Sequence, residues 1–214
     1  MYNVSVQMDI ISSTNKGKRM LPEKTLEDTL KIAGAVSNLY VGSAYGGSEL
    51  IDALKDFAQE ANVPWILIGG IAVGFHSKPR GTQDIDVIVA GEEDINKLKN
   101  SLKSFKHNRS HAFEHKKTGV EVEVLTADFL NINTQIAEKA LTSSVKQTIH
   151  GIQIPVADSA GLIALKLERG ERQDLADIEG MLKKDISIDL SEYSLSEDQK
   201  EIFNDIKKDV KNKE

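Results

Sequence analysis

Residues 65–90 read WILIGGIAVGFHSKPRGTQDIDVIVA, and this stretch contains two features that together point to a functional site. The first is a short apolar run that ends in Gly69 and Gly70 and is followed by residues suited to a helix. Because glycine has no Cβ, backbone N–H groups at such a turn can approach a ligand closely. The N-terminus of a helix also favours a phosphate group. The run therefore predicts a buried strand, 65–68, that leads into a phosphate-binding turn.

The second feature is a pair of aspartates on the strand that we predict over residues 84–90. Side chains alternate between the two faces of a strand, so Asp84 and Asp86 point to one face while their apolar neighbours enter the core. Farther along, Glu121 and Glu123 alternate with valines in the same way on a third predicted strand. A single acidic pair is most often a solvated strand face. The ordered combination of the glycine turn, the aspartate pair and the later acidic strand instead favours a functional site.

This ordered set resembles the signature of the nucleotidyltransferase superfamily, the fold shared with the DNA polymerase beta-like enzymes. In that signature, an apolar residue and Gly-Gly or Gly-Ser are followed, after roughly a dozen residues, by Asp-apolar-Asp-apolar. The matching segments here are Ile68-Gly69-Gly70 and Asp84-Ile85-Asp86-Val87, and the resemblance covers Ser48 to Lys184. Three segments are most similar to the abortive-infection toxin branch: Arg80-Gly81-Thr82-Gln83-Asp84-Ile85-Asp86, Leu165-Lys166-Leu167 and the stretch from Arg172 to Ile178.

The resemblance implies roles for individual residues. Asp84, Asp86 and Glu123 would be the catalytic carboxylates and the ligands of Mg²⁺, or of Mn²⁺ in its place. Glu123 would also help to deprotonate the attacking hydroxyl, and Glu121 competes with it for the third position. The implied nucleotide-binding residues are Gly69, Gly70, Arg80, Thr82, Lys166 and Asp174.

Residue patterns alone allow a plainer interpretation of the later positions. Lys166 would then be a surface residue of an amphipathic helix, and Asp174 and Asp177 would form ordinary helical ion pairs with Arg172 or Lys184. Arg80 and Thr82 would only shape the turn that leads into the strand. These alternatives stay open on the sequence.

By resemblance, the function would be Mg²⁺-dependent transfer of a nucleoside monophosphate from an NTP to a hydroxyl acceptor, with release of pyrophosphate. The acceptor would be an RNA such as a tRNA 3′ end, a protein side chain or a small molecule. The toxin branch implies a toxin–antitoxin or phage-defence role and a cognate antitoxin protein. Glu at the third acidic position and Gly70, where many catalytic members have Ser, support an alternative. That alternative is a catalytically silent nucleotide-binding or antitoxin-like protein on the same fold.

A third interpretation, an unrelated α/β binding domain, would place the two glycines far from Asp84.

Charge and composition exclude several classes of protein and of site. The chain of 214 residues has 27 Lys and Arg against 33 Asp and Glu, a net charge of −6, which argues against nucleic-acid binding over its whole surface. The absence of Cys excludes disulfides, thiolate zinc sites and a Cys nucleophile. The longest apolar stretch, Val63 to Phe75, is shorter than the roughly 20 residues of a membrane span. With no signal-peptide pattern at the N-terminus, we expect a cytoplasmic protein.

His107, His111 and His115 are spaced by four, but the residues between them predict a hairpin or an exposed connection, so we do not predict a metal site there. Nearby Lys103, Lys106 and Arg109 form the strongest basic patch, which an RNA acceptor could contact, although most charge runs are solvated surface.

The predicted fold is α/β (α+β): a small mixed sheet flanked by helices, with a helical C-terminal segment. Strands 65–68, 84–90 and 120–125 should lie side by side, and the signals beyond Leu125 are mostly helical. We predict three regions: an N-terminal extension of unknown role (1–47), a nucleotidyltransferase catalytic core (48–130) and a mainly helical segment that completes the cleft (131–214).

Overall fold

The computed structural model describes residues 24–40 and 46–213. Its helices are α1 Leu26–Tyr40, α2 Gly47–Glu60, α3 Gly69–His76, α4 Glu92–Ser101, α5 Ala127–Leu130, α6 Thr134–Thr142, α7 Ser159–Arg169, α8 Arg172–Lys184 and α9 Glu197–Asn212. Its strands are β1 Trp65–Leu67, β2 Asp84–Val89, β3 Phe105–Arg109, β4 Ala112–His115, β5 Glu121–Leu125, β6 Ser144–Ile149 and β7 Ile152–Ala157.

The strands form one mixed sheet in the order β3-β4-β5-β2-β1-β7-β6. The pairs β2–β5 and β1–β7 are parallel, and the other neighbours are antiparallel. All three residues of β1 are buried, as expected for a central strand that is covered on both faces. In β2, Ile85 and Val87 are buried while Asp84 and Asp86 are partly exposed. The predicted mixed α/β fold is confirmed, and β5, β2 and β1 are neighbours as expected.

The prediction of mostly helical structure beyond Leu125 is wrong for residues 144–157. This segment is the hairpin β6–β7, and β7 joins the sheet beside β1. The turn places His150 and Gly151 at φ of 49° and 84°, and histidine is an uncommon residue at positive φ. Pro155 inside β7 weakens the strand pattern further, because proline cannot donate a hydrogen bond to a neighbouring strand.

Local features set the helix boundaries around the sheet. Helix α2 is capped by Gly46, whose N–H donates to the Glu49 carboxylate at 3.0 Å. Helix α4 ends at Ser101, four residues before β3 begins at Phe105. Helix α7 ends at Gly170, which has φ 65°.

Helix α1 lies within the N-terminal extension and packs against α2 and α3. A Cβ on Gly34 would lie 2.3 Å from the backbone nitrogen of Gly47, so α1 meets the start of α2 at very close range. About one turn farther along α1, the Ser37 hydroxyl donates to the carbonyl of Thr82 at 2.7 Å. Part of the extension therefore supports the loop that precedes the two aspartates. None of the helices described here combines the length and the apolar character needed to span a membrane.

Candidate active site

The acidic residues meet where β2 and β5 run parallel. Their register places Asp84 opposite Glu121 and Asp86 opposite Glu123. One carboxylate oxygen from each of Asp84, Asp86 and Glu123 lies within 4.8 Å of the others. Glu121 is not part of this group, so Glu123 is the glutamate that accompanies the aspartates. Hard oxygen donors at such separations suit a divalent cation such as Mg²⁺.

The electrostatics of this group also favour a cation. Burial, then the charges of Asp84 and Glu123, raise the pKa of Asp86 to about 7, against an opposing hydrogen bond from the Gly70 N–H. Burial and the charge of Asp84 likewise raise the pKa of Glu123, while Arg109 counteracts them. Raised pKa values mean that negative charge at this point is poorly compensated. A bound divalent cation would supply that compensation, so these residues fit the metal that the resemblance implies.

The two glycines bring the backbone against the carboxylates. Helix α3 begins at Gly69, which has φ 66°, a conformation that side-chain-bearing residues rarely adopt. A Cβ on Gly69 would lie 1.8 Å from Oδ2 of Asp86. A Cβ on Gly70 would lie 3.2 Å from the Thr82 hydroxyl and 3.3 Å from the Arg80 guanidinium carbon. The glycine pair therefore allows the turn to touch Asp86 and leaves room between the turn and the loop opposite.

We expect Gly69→Ala to destabilise the fold, because the added methyl group would displace the Asp86 carboxylate. Strain at positive φ alone costs about 1–2 kcal/mol. Gly151→Ala is the matched control, since Gly151 has φ 84° and a Cβ there would meet nothing within 4 Å. In chemical denaturation, the free energy of unfolding should fall clearly more for Gly69→Ala than for Gly151→Ala. Equal losses would mean that the contact with Asp86 carries no constraint.

The loop before β2 links the site to other elements. The Thr82 hydroxyl donates to Oδ1 of Asp84 at 2.9 Å, which orients that carboxylate. The Arg80 guanidinium lies 3.4 Å from Asp177 on α8. Thr82 therefore contacts a carboxylate of the cleft, and Arg80 connects the loop to α8.

Lys166 is buried at the junction of α7 and α8. Its ammonium donates to Oδ1 of Asp174 and to Oδ2 of Asp177, both at 2.7 Å, and only 9% of its side chain is exposed. The plainer interpretation of this segment is wrong: Lys166 is not a surface residue, and the two aspartates pair with it rather than with Arg172 or Lys184. Arg169, which the sequence reasoning missed, lies 3.5 Å from Oδ2 of Asp174. That oxygen is buried without a hydrogen-bond partner among the described residues.

Arg109 is a further residue whose position the sequence did not reveal. Instead of extending an open basic patch, its guanidinium donates to Glu121 at 2.6 Å and to Glu123 at 2.9 Å. A bulge in β3 between His107 and Arg109 places Arg109 opposite Ala112, which in turn pairs with Glu123. Asp177 and Arg169 could have been found from the sequence, because they are charged residues that lie close to Lys166 in the chain. Arg109 carried none, because a bulge is not visible in the sequence.

The three histidines lie on β3, in the following turn and on β4, so they are not aligned on a helix. Within the described ranges they do not form a group of candidate metal ligands. The residues between His107 and His115 form the hairpin of β3 and β4.

A single cleft of about 570 Å³ brings the predicted site residues together. Its lining includes all of the predicted catalytic and nucleotide-binding positions: Gly69, Gly70, Arg80, Thr82, Asp84, Asp86, Glu123, Lys166 and Asp174. A cleft of this size is typical of small-molecule sites. The third interpretation fails, because Gly69 and Gly70 line the same cleft as Asp84.

A mixed sheet that carries three clustered carboxylates beside a Gly-Gly turn defines the nucleotidyltransferase-like class. The chain belongs to the family described as "Nucleotidyltransferase of unknown function (DUF6036)", whose sequence model matches residues 48–214. A comparison with curated proteins finds no match.

Two solved structures are similar to this chain. An antigenic nucleotidyltransferase-like protein from Paracoccidioides brasiliensis is 18% identical, with a TM-score of 0.53 over 76% of this chain and 88% of that one. ANT(2″)-Ia in complex with adenylyl-2″-tobramycin is 16% identical, with a TM-score of 0.38 over 77% of this chain and 96% of that one. At these identities, the first likeness supports the fold alone.

Proposed function

We propose that the protein is a divalent-metal-dependent nucleotidyltransferase that moves a nucleoside monophosphate from an NTP to a hydroxyl acceptor. The observation that carries this proposal is the convergence of Asp84, Asp86 and Glu123 within 4.8 Å in the cleft that Gly69 and Gly70 also line. Three clustered carboxylates are costly to keep together without a cation. Family membership supports nucleotidyl transfer as the reaction class.

In the proposed mechanism, Asp84, Asp86 and Glu123 hold the metal, Mg²⁺ or Mn²⁺. The bound metal would neutralise phosphate charge and polarise the α-phosphate. Glu123, whose pKa is raised, accepts the proton of the acceptor hydroxyl. The hydroxyl oxygen then bonds to the α-phosphorus while the bond to the pyrophosphate oxygen breaks. The phosphates approach the Gly69–Gly70 turn, where the absence of side chains leaves room for them. The Gly70 N–H meanwhile donates to the Asp86 carboxylate.

The cationic part of the site differs from the one that the resemblance implies. Lys166 is enclosed by Asp174 and Asp177, whereas the Arg80 and Arg169 side chains are 38% and 39% exposed. We therefore assign direct contact with the triphosphate to the two arginines. Lys166 acts as a positioning residue, because it fixes the aspartates that hold both arginines in place.

Label transfer tests the proposed function against the alternative of a silent nucleotide-binding protein. Wild type and Asp86→Asn are incubated with Mg²⁺ or Mn²⁺, each α-labelled NTP in turn, and RNA, protein or small-molecule fractions of a cell extract. We expect label on one acceptor class with wild type only, and none with EDTA. Label from both proteins would reject the assigned carboxylates. NTP binding without any transfer would support the silent protein.

The role in a toxin–antitoxin or phage-defence system is a narrower proposal, supported by the likeness of residues 80–86 to the abortive-infection branch. Induced expression in a bacterial host should arrest growth with the wild-type chain and spare it with Asp86→Asn. Growth that is equal for the two chains would reject the toxin role and leave the transfer reaction untouched.

A further inference from the structure

One aromatic side chain stands at the mouth of the cleft. Phe129 lines the cleft and is 54% exposed, although a phenylalanine is normally buried. None of the other described residues that line the cleft has an aromatic side chain. Its ring lies against His111, with the ring centroids 4.0 Å apart and the planes inclined by 32°. The pair forms a small aromatic surface, which we call the Phe129–His111 platform.

Hydrogen bonds fix both members of the platform. His111 Nε2 donates to the Glu92 carboxylate at 2.8 Å, which fixes the supporting ring. The hydroxyl of buried Thr126 accepts from the Phe129 N–H at 3.1 Å, and Asn131 at φ 52° ends the short helix that carries Phe129. An exposed ring on a fixed backbone can stack on a ligand with little loss of conformational entropy.

Phe129 lines the same cleft as Arg80, Arg169 and the Gly69–Gly70 turn, which suit phosphates. Leu125 and Leu130 add apolar surface to that lining. In a nucleoside triphosphate, the base is the group that gains from an aromatic surface. We propose that the Phe129–His111 platform stacks on the base of the bound NTP, an inference that rests on the proposed function. Because every base has a π face, stacking on Phe129 should bring little discrimination between the four bases.

The test measures binding by calorimetry with two probes in Mg²⁺. One probe is α,β-methylene-ATP, in which carbon replaces the oxygen of the bond that transfer breaks. The other is inorganic tripolyphosphate, which has no base. We expect Phe129→Ala to weaken the nucleotide about 5- to 100-fold and to leave tripolyphosphate unchanged, since base stacking has that magnitude. Phe129→Trp should retain nucleotide affinity. The matched control, Ile202→Ala, removes an apolar side chain of similar exposure outside the cleft and should change neither.

Each other result overturns the inference. Equal loss for both probes would indicate general damage to the cleft. Unchanged nucleotide binding together with a raised KM for the acceptor would assign the platform to the acceptor instead. If the wild-type protein binds tripolyphosphate and the nucleotide equally, the base has no subsite, although the proposed transfer could still hold. If it binds neither, the proposed function itself fails, and the inference with it.

Discussion

Replacing Asp86 by Asn should reduce nucleotidyl transfer by well over 100-fold. Residues that merely support a metal ligand contribute about 10–100-fold, and Asp86 is placed to be a ligand itself. Asn keeps the shape of the side chain and removes its charge, so the cleft should remain intact. The measurement is the initial rate of label transfer at saturating NTP, together with Mg²⁺ affinity from a titration.

Glu121→Gln is the matched control for this variant. Glu121 lies on the same face of the sheet, two residues before Glu123, but outside the group of three carboxylates. It should retain most of the activity. If Glu121→Gln were as damaging as Asp86→Asn, the assignment of the metal ligands would be wrong.

Asp86→Asn should also stabilise the metal-free protein at alkaline pH. The pKa of Asp86 is about 7 in the fold against 3.8 ordinarily, so folding disfavours the ionised form. As pH rises from about 4 to 7, wild type should therefore lose more stability than Asp86→Asn, which keeps the smaller contribution of Glu123. Above pH 7 the free energy of unfolding of the variant should exceed that of wild type, by at most about 4 kcal/mol. Urea denaturation in EDTA at pH 5 and pH 8 measures it. A difference that does not grow with pH would contradict the prediction.

Lys166→Met should destabilise the protein by about 3–5 kcal/mol. Asp174 and Asp177 would stay buried without the ammonium that they share at 2.7 Å, and breaking a buried ion pair from one side has that cost. Methionine preserves the length of the side chain, so the loss reports charge rather than volume. Chemical denaturation gives the value. Lys97→Met is the control: this partly exposed lysine pairs with Glu93, and its removal should cost under about 1 kcal/mol.

A triple variant separates stability from function at this position. Lys166→Met combined with Asp174→Asn and Asp177→Asn removes all three charges, and uncharged replacements of buried pairs are often neutral for stability. We expect stability to recover substantially while triphosphate binding stays weak, because Arg80 and Arg169 lose the aspartates that hold them. Recovery of both stability and tripolyphosphate binding would show that the cluster is purely structural.

Local rules were sufficient for the carboxylates and the glycine turn. The alternation of a strand places Asp84 and Asp86 on one face regardless of what surrounds them. A short apolar run that ends in Gly69 and Gly70 marks a strand-to-helix turn, because glycine is the residue that adopts positive φ without strain. The same rules failed for β7, where Pro155 interrupts the pattern and pairing with β1, far away in the chain, determines the strand.

The sequence by itself therefore determined the shared face of Asp84 and Asp86 and the Gly-Gly turn, since each depends on the conformation of a few consecutive residues. The order of its motifs predicted the mixed α/β fold by resemblance. Only the tertiary structure selected Glu123 over Glu121, through the register of β2 with β5. It also turned Arg109 toward Glu123 through a bulge and left Phe129 exposed beside His111. These outcomes depend on contacts between separate elements of the fold. A pattern along the chain records which side chains share a face, but not which faces meet.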